Sequence, residues 1–251
     1  VKGKPFARQG FGFWFPIGQY FQSTTGLMFA IMMKAHEDRL MGYLGKVENP
    51  DFVRQHAEEM TIQQHRAGAY ALLASLLGHP PTANVLAQIG QFDAQSDAGS
   101  CDEFGLALAS LELAAQTARV EDIEDEFYAL FIGIGRGELM PYGSWYQTGF
   151  LMERPLSQLR DDLQALGYKR DESAPEPEDH AASLCEVMAI MINEQRSFKT
   201  QSRFFKTHLA SWLERFFADL QASDSALFYK TVARFGTAFM TFEQQYVSFP
   251  E

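Results

Sequence analysis

Cysteine is scarce: the 251 residues contain two, Cys101 and Cys185, and no C-x-x-C pair. A disulfide scaffold and a zinc ribbon are therefore excluded, and a reducing, cytoplasmic setting is expected. Long apolar runs are missing too. No stretch reaches the roughly 18 consecutive apolar residues of a spanning helix. The nearest, Gly26 to Met33, follows a basic start (Lys2, Lys4, Arg8). It is broken by Pro16 and the polar run Gln22 to Thr25, and no small-x-small cleavage site follows, so it reads as an ordinary amphipathic helix. Positive charge is in deficit: 21 Lys and Arg stand against 32 Asp and Glu, a net charge of −11. Nucleic acid and anionic membranes are poor partners for such a surface, and stable membrane insertion is not expected. A cationic partner, such as a basic peptide, suits it. Alternating β-type runs bounded by turn pairs are also absent, and no fixed repeat period is found, so a solenoid is excluded.

What is present is 46% apolar and 14% aromatic residues, enough for a sizeable core. The chain changes character near Met60. Residues 1–59 carry a balance of about +1 by formal charge, and residues 60–251 carry −12. Residues 1–59 read as an aromatic-rich arm (Phe6, Phe11, Phe13, Trp14, Phe15, Tyr20, Phe21) with one helix, on which Leu27, Met28, Ile31, Met32 and Ala35 form a stripe capped by Thr24 or Thr25. Asn49-Pro50 reads as a stop. The arm is a natural extension, the product of an upstream start, or a fusion. Residues 60–251 read as one all-α helical bundle domain. Ala69, Leu72, Leu73, Leu76 and Leu77 line one face, ended by Gly78 and Pro80-Pro81. Asn84 to Gln91 is a short helix, and Ser96 to Ser100 a loop, with Asp102 as a cap. Phe104, Leu108, Leu111 and Ala115 follow, then Ile123, Phe127, Leu130 and Phe131. Pro155 opens a helix with the stripe Leu156, Leu159, Leu163, Leu166, closed by Gly167. A helix starting at Pro177 carries Leu184, Val187, Met188 and Met191. Another carries Phe205, Leu209, Trp212 and Phe216. The last, capped by Ser223 or Asp224, carries Phe228, Phe235, Phe239, Phe242 and Tyr246.

Chemistry-bearing patterns are sparse. The histidines at 36, 56, 65, 79, 180 and 208 show no H-x-x-x-H or E-x-x-H spacing on one expected helix, so no metal site is assigned. Gly133-Ile134-Gly135-Arg136-Gly137 has no preceding strand and no following GK[ST], so it reads as a turn. Ser144 lies in Gly143-Ser144-Trp145, without the G-x-S-x-G elbow of a hydrolase nucleophile. Glu176-Pro177-Glu178-Asp179-His180 admits two readings. It is a well-formed helix start, with proline at the first position and carboxylates in the first turn. Alternatively, with Asp171 and Glu172 nearby, it is a carboxylate cluster that holds guanidinium groups by paired hydrogen bonds. A hydrolase using Asp179 and His180 is the enzymatic alternative, and it has no evident nucleophile or metal.

Glu176-Pro177-x-Asp179-His180 resembles the E-P-x-D-H signature of the TorD/DmsD family of molybdoenzyme maturation chaperones. Phe127-Tyr128-x-Leu130-Phe131 leading into Pro141-Tyr142-Gly143-Ser144-Trp145-Tyr146 is similar to the family's Y-x-x-L-F and P-Y-x-S-x-Y stretches. Phe204 to Trp212 resembles its F-x-x-H-L-x-x-W helix, and Phe228-Tyr229 its C-terminal end. The resemblance covers roughly residues 60–246. It implies an all-helical domain, monomeric or a domain-swapped dimer, that binds the twin-arginine signal peptide and apo form of a molybdoenzyme in the cytoplasm until the cofactor is inserted and Tat export follows. It implies no catalysis. Weak guanine nucleotide binding is implied by the family alone. On this basis Glu176, Asp179 and His180 are expected at the polar end of a peptide site, His180 titrating near neutrality if unperturbed. Tyr142, Trp145 and Tyr146 are expected on its apolar side, or else as core packing, while Pro141 and Pro177 fix the loop geometry and Ser144 is counted with the peptide-binding residues. His208 and Trp212 read as core. A NarJ-type assembly chaperone for a non-exported enzyme is the alternative within the same superfamily.

Overall fold

The computed structural model describes residues 50–92, 103–170 and 175–248, with side chains from residue 59 onward. The expected arm helix at residues 24–35, the loop at 96–100, the Asp102 cap, Asp171 and Glu172 lie outside the described residues. Within them the protein is helical: α1 (Pro50–Gly78), α2 (Ala83–Ile89), α3 (Glu103–Thr117), α4 (Val120–Phe127), α5 (Gly143–Thr148), α6 (Arg154–Leu166), α7 (Ala181–Asn193), α8 (Phe198–Phe204), α9 (Leu213–Ala222) and α10 (Phe228–Tyr246). The all-α expectation holds. Among the described residues the one β-type pairing is an isolated antiparallel bridge between Tyr142 and His180. No helix there is long and apolar enough to cross a membrane.

Three local readings need correction. The element that Asn49-Pro50 was expected to end lies outside the described residues, and Pro50 itself is the first residue of α1. A first-turn proline loses no hydrogen bond, since its N–H would have no intrahelical partner. α1 then runs unbroken through residues 59 and 60, where the charge balance changes. The helix expected from Pro177 begins instead at Ala181, with His180 as its N-cap, the ring Nδ1 accepting from Ala182 N–H at 3.1 Å. The segment from Phe205 to Phe216 is not one helix. A wide turn with i→i+5 bonding (Ala210 N–H to Phe205 C=O, 3.0 Å) occupies Phe205–Leu209, and Trp212 with φ −149° separates it from α9. Neither Ser223 nor Asp224 caps α10, and Ser223 ends α9. The Glu126 carboxylate from α4 takes the free amides of α10 instead, at 2.8 Å from Leu227, 3.0 Å from Phe228 and 2.7 Å from Tyr229. A carboxylate at the positive end of the helix dipole suits both the amides and the charge.

Packing explains the stripes. α1 and α7 form the most extensive pair, with Gly78 at the end of one beside Ala182 at the start of the other, 3.4 Å from where a Cβ would lie. Leu72, Leu73, Leu76 and Leu77 of α1 and Leu184, Val187, Met188 and Met191 of α7 are all buried between them and the rest of the bundle. Each such side chain contributes about 2 kcal/mol of burial. α10 packs on α3 and α9. Its rings run in a stack, Phe235–Phe239 at 6.3 Å, Phe239–Phe242 at 6.5 Å and Phe242–Tyr246 at 5.9 Å, which Phe104 of α3 and Tyr70 of α1 join.

One ion pair lies inside this core. Arg66 donates from Nε and Nη2 to the two oxygens of Glu243 at 2.6 and 2.9 Å, and both side chains are fully buried. Its Nη1 reaches Gln63 and Gln201, and the Tyr70 hydroxyl donates to Glu243 at 2.8 Å. Burial works against the Arg66 charge, but the Glu243 hydrogen bond and charge outweigh it and raise its pKa. The pair ties α1, α8 and α10 into one register. A well-satisfied network of this kind fixes an arrangement more than it adds net stability.

Two expectations follow from the packing. An Ala Cβ at Gly236 would lie 2.4 Å from the Phe217 ring. Gly236→Ala, which on an open helix face gains about 1 kcal/mol, is expected here to lower stability by about 1–3 kcal/mol in urea unfolding. At the start of α7, burial lowers the His180 pKa from 6.5 to about 4, with Glu176 and Asp179 opposing it. The folded protein thus binds this proton less readily than the unfolded chain. The stabilisation is complete above about pH 6.5 and is lost as pH falls toward 4, a span worth roughly 3 kcal/mol. His180→Asn keeps a capping acceptor without the titration. The wild-type protein is expected to lose that much more stability than the variant between pH 7 and pH 4, by urea titrations at each pH. Glu186 of α7, held by burial at about 8, contributes equally to both and cancels.

Candidate functional site

The E-P-x-D-H stretch and the turn at 141–146 are brought together. Between α4 and α5 the chain passes a wide turn, Tyr128–Ile132, and the glycine-rich segment. Gly133 (φ +61°) and Gly135 (φ +87°) adopt left-handed conformations there, and a Cβ at Gly133 would strike the Arg136 carbonyl. The segment is a glycine-dependent connection between two helices. Leu139 N–H then bonds Leu130 C=O, which returns the chain toward α4 and delivers Pro141 to the start of α7.

A short clasp follows. Gly143 N–H donates to Asp179 C=O at 2.9 Å, and Ala181 N–H donates to Pro141 C=O at 2.8 Å. Asp179 Oδ2 accepts Ser144 N–H at 2.7 Å. The Tyr142 hydroxyl donates to Glu176 Oε2 at 2.5 Å, and its ring meets His180 edge-on at 5.1 Å. Burial, then the Glu176 bond, pushes the Tyr142 pKa up, so the phenol stays a donor. Pro177 C=O accepts His180 N–H, closing the turn before α7. Pro141 and Ser144 are buried, Asp179 is 3% exposed and His180 6%. The expectation that His180 titrates near neutrality is overturned, because its ring is enclosed and serves as an acceptor.

Two buried polar atoms of the clasp, Ser144 Oγ and Asp179 Oδ1, have no hydrogen-bond partner. Glu178, the variable residue of the motif, is gripped by Arg160 of α6. Arg160 Nε lies 3.0 and 3.1 Å from the two carboxylate oxygens, and its Nη2 is 2.9 Å from one of them. Partial burial pushes the Glu178 carboxyl up, but the Arg160 guanidinium outweighs this and holds it below the usual carboxylate range.

The aromatic residues divide. Tyr146 packs against Trp212 at 5.4 Å and Phe216 at 6.0 Å, its hydroxyl on Asp219 at 2.9 Å. Trp145 is half-buried, with the Arg136 guanidinium 4.6 Å over its ring. Trp212 and His208 are buried, as expected for core residues, with Trp212 Nε1 on His208 C=O and His208 Nε2 2.8 Å from Asp162. Sequence reasoning missed the tip between α5 and α6: Phe150, Leu151 and Met152 are 68%, 42% and 75% exposed, and Met152 has φ +60°. The signal was legible as three adjacent apolar residues between Gly149 and Pro155, where turn residues are usual. Among the described residues no group of three or more His, Cys, Asp and Glu side chains is placed to hold a metal ion. A surface depression of about 450 Å³ beside α2 is lined by Ala, Gly, Leu86, Val120 and two glutamines, with no charged group to meet a cation.

A family model described as the nitrate reductase delta subunit matches residues 97–218. The chain is similar to the chaperone protein TorD of a Vibrio cholerae Ogawa strain, 28% identical over 198 residues, covering 71% of this chain and 90% of that protein. It is likewise similar to the chaperone protein TorD of an El Tor Inaba strain, 32% identical over 143 residues, covering 53% of this chain and 60% of that protein. A crystal structure described as a redox enzyme maturation protein from Archaeoglobus fulgidus aligns with a TM-score of 0.46 at 19% identity, covering 71% of this chain and 93% of that one. The clasp carries the E-P-x-D-H resemblance, and the chain is similar to curated TorD chaperones and, over residues 97–218, to the nitrate reductase delta subunit family.

Proposed function

We propose that the protein is a cytoplasmic chaperone that binds the twin-arginine signal peptide of a molybdopterin-dependent oxidoreductase and holds the apo-enzyme until its cofactor is in place, before Tat export. It acts as a monomer or a domain-swapped dimer and makes no bonds of its own. The observation that carries this reading is the juxtaposition of acid and grease around α5 and α6. Glu176 and Asp179 stand at the start of α5 through the clasp, and Glu178, between them in sequence, is held by Arg160 of α6. The exposed Phe150–Leu151–Met152 tip stands at its other end, and six residues of helix span only about 9 Å. A leader with two guanidinium groups beside an apolar segment presents the complementary pair. Charge supplies steering and register, while burial of apolar surface supplies most of the affinity. Pro141, Tyr142, Ser144, Trp145 and Tyr146 act mainly by building the turn on which both halves sit.

A second reading, a NarJ-type chaperone for an enzyme that is not exported, is favoured by the nitrate reductase delta subunit description of the matching family model. Capture from anaerobically grown cells followed by mass spectrometry separates the two. A molybdoenzyme precursor that still carries its leader is expected to co-elute, and recovery of a leaderless client alone would favour the second reading.

The apolar half is tested by Phe150→Ser with Met152→Ser. Both side chains are well exposed, so the melting temperature is expected to stay within a degree or two of wild type. Affinity for the client's leader peptide by calorimetry is expected to fall about tenfold or more, the equivalent of roughly 1.4 kcal/mol. Unchanged affinity would remove the tip from the site.

A further inference from the structure

We infer that Glu178 is the receptor carboxylate for a client guanidinium, and that Arg160 occupies that receptor in the peptide-free protein and is displaced when the leader binds. This rests on the peptide-binding reading above and names the residue that reads the arginine.

The other described acids of the motif are committed elsewhere. Asp179 spends Oδ2 on Ser144 N–H and is buried, and Glu176 spends Oε2 on the Tyr142 hydroxyl. Glu178 alone already grips a guanidinium, through three contacts of 2.9–3.1 Å. The pair is asymmetric: the Glu178 side chain is 11% exposed and that of Arg160 51%. The carboxylate is the floor and the guanidinium the cover. A half-exposed pair of this kind adds little net stability, so exchanging one guanidinium for another costs little. Net affinity is then left to the rest of the peptide.

A second, independent observation points to an incoming donor. Asp179 Oδ1 is buried and has no partner, and the Asp179 charge is felt at the Arg160 guanidinium. A buried carboxylate oxygen without a donor is unfavourable, and a second guanidinium beside the first supplies what it lacks. Two adjacent arginines match two adjacent acids, Glu178 and Asp179. α6 also links the two halves of the site, since Arg160 lies six residues, about 9 Å, along the helix from Arg154, which follows the Phe150–Met152 tip. An extended peptide covers that distance in about three residues.

The test uses the full chain and a fluorescein-labelled peptide with two adjacent arginines followed by a leucine–alanine run, alongside its twin-lysine counterpart. Four variants are compared by fluorescence anisotropy: Arg160→Gln, Glu178→Gln, Glu178→Asp, and Arg119→Gln, which makes the same charge change at an exposed residue just before α4. Removing the cover is expected to tighten twin-arginine binding several-fold beyond Arg119→Gln, with no such gain for twin-lysine. Glu178→Gln is expected to weaken it about tenfold, and Glu178→Asp, which keeps the charge on a shorter arm, to fall between. Overlapping thermal melts confirm that the variants are folded. If wild type prefers twin-arginine but Arg160→Gln matches Arg119→Gln, or Glu178→Gln binds as wild type, the exchange is overturned while the chaperone reading stands. If wild type does not distinguish the two peptides, both fall.

Discussion

The clasp between residues 141–144 and 179–181 is the contact on which the candidate site depends. It joins two loops that are distant in sequence by two backbone hydrogen bonds and the Asp179 side chain. Everything functional hangs from it: α5 starts on one side, α7 on the other, and the tip before α6 is held at the far end of α5. The paired polar groups are buried and have no water to fall back on, so their bonds fix the geometry closely, although Ser144 Oγ and Asp179 Oδ1 are left without a partner. The residues of the E-P-x-D-H stretch are thus chiefly architectural. Asp179 and His180 are spent on backbone amides, and under the proposed function the surface they organise does the recognising.

The same economy runs through the molecule. A net charge of −11 suggests an outward-facing acidic field. Yet Glu243 neutralises Arg66 in the core, Glu126 caps α10, Asp179 caps α5, and Glu138 receives the Asp224 amide. Carboxylates used in this way are fixed acceptors and add little to a diffuse surface potential. Under the proposed function, recognition of a cationic peptide rests on particular acids whose partners are replaceable, and much less on bulk charge.

How much of this was legible in the sequence follows from what each residue interacts with. Stripes whose partners are local, such as Leu156, Leu159 and Leu163 with Pro155 before and Gly167 after, were read correctly, because period and punctuation suffice. His180 was not. As a residue type it titrates near neutrality, and only the fold encloses it and hands it the Ala182 amide. Pro177 has the composition of a helix start, but the Tyr142–His180 bridge holds the preceding residues in a turn, so the helix waits until Ala181. The cap of α10 was invisible because its acceptor lies about a hundred positions away, and Ser223 is the ordinary local choice. The Arg160–Glu178 pair was hidden for the same reason, although the E-P-x-D-H resemblance had already marked its neighbourhood.

That remote cap carries a consequence for how the chain is assembled. Glu126 meets amides 101 to 103 positions further on. The opening turn of α10 therefore cannot settle its dangling N–H groups by itself and must wait for a piece of chain made much earlier. Closing so large a loop is slow relative to coiling a helix. Solvent exchange at the amides of Leu227, Phe228 and Tyr229 consequently reads out whether the early and late portions of the polypeptide are still joined.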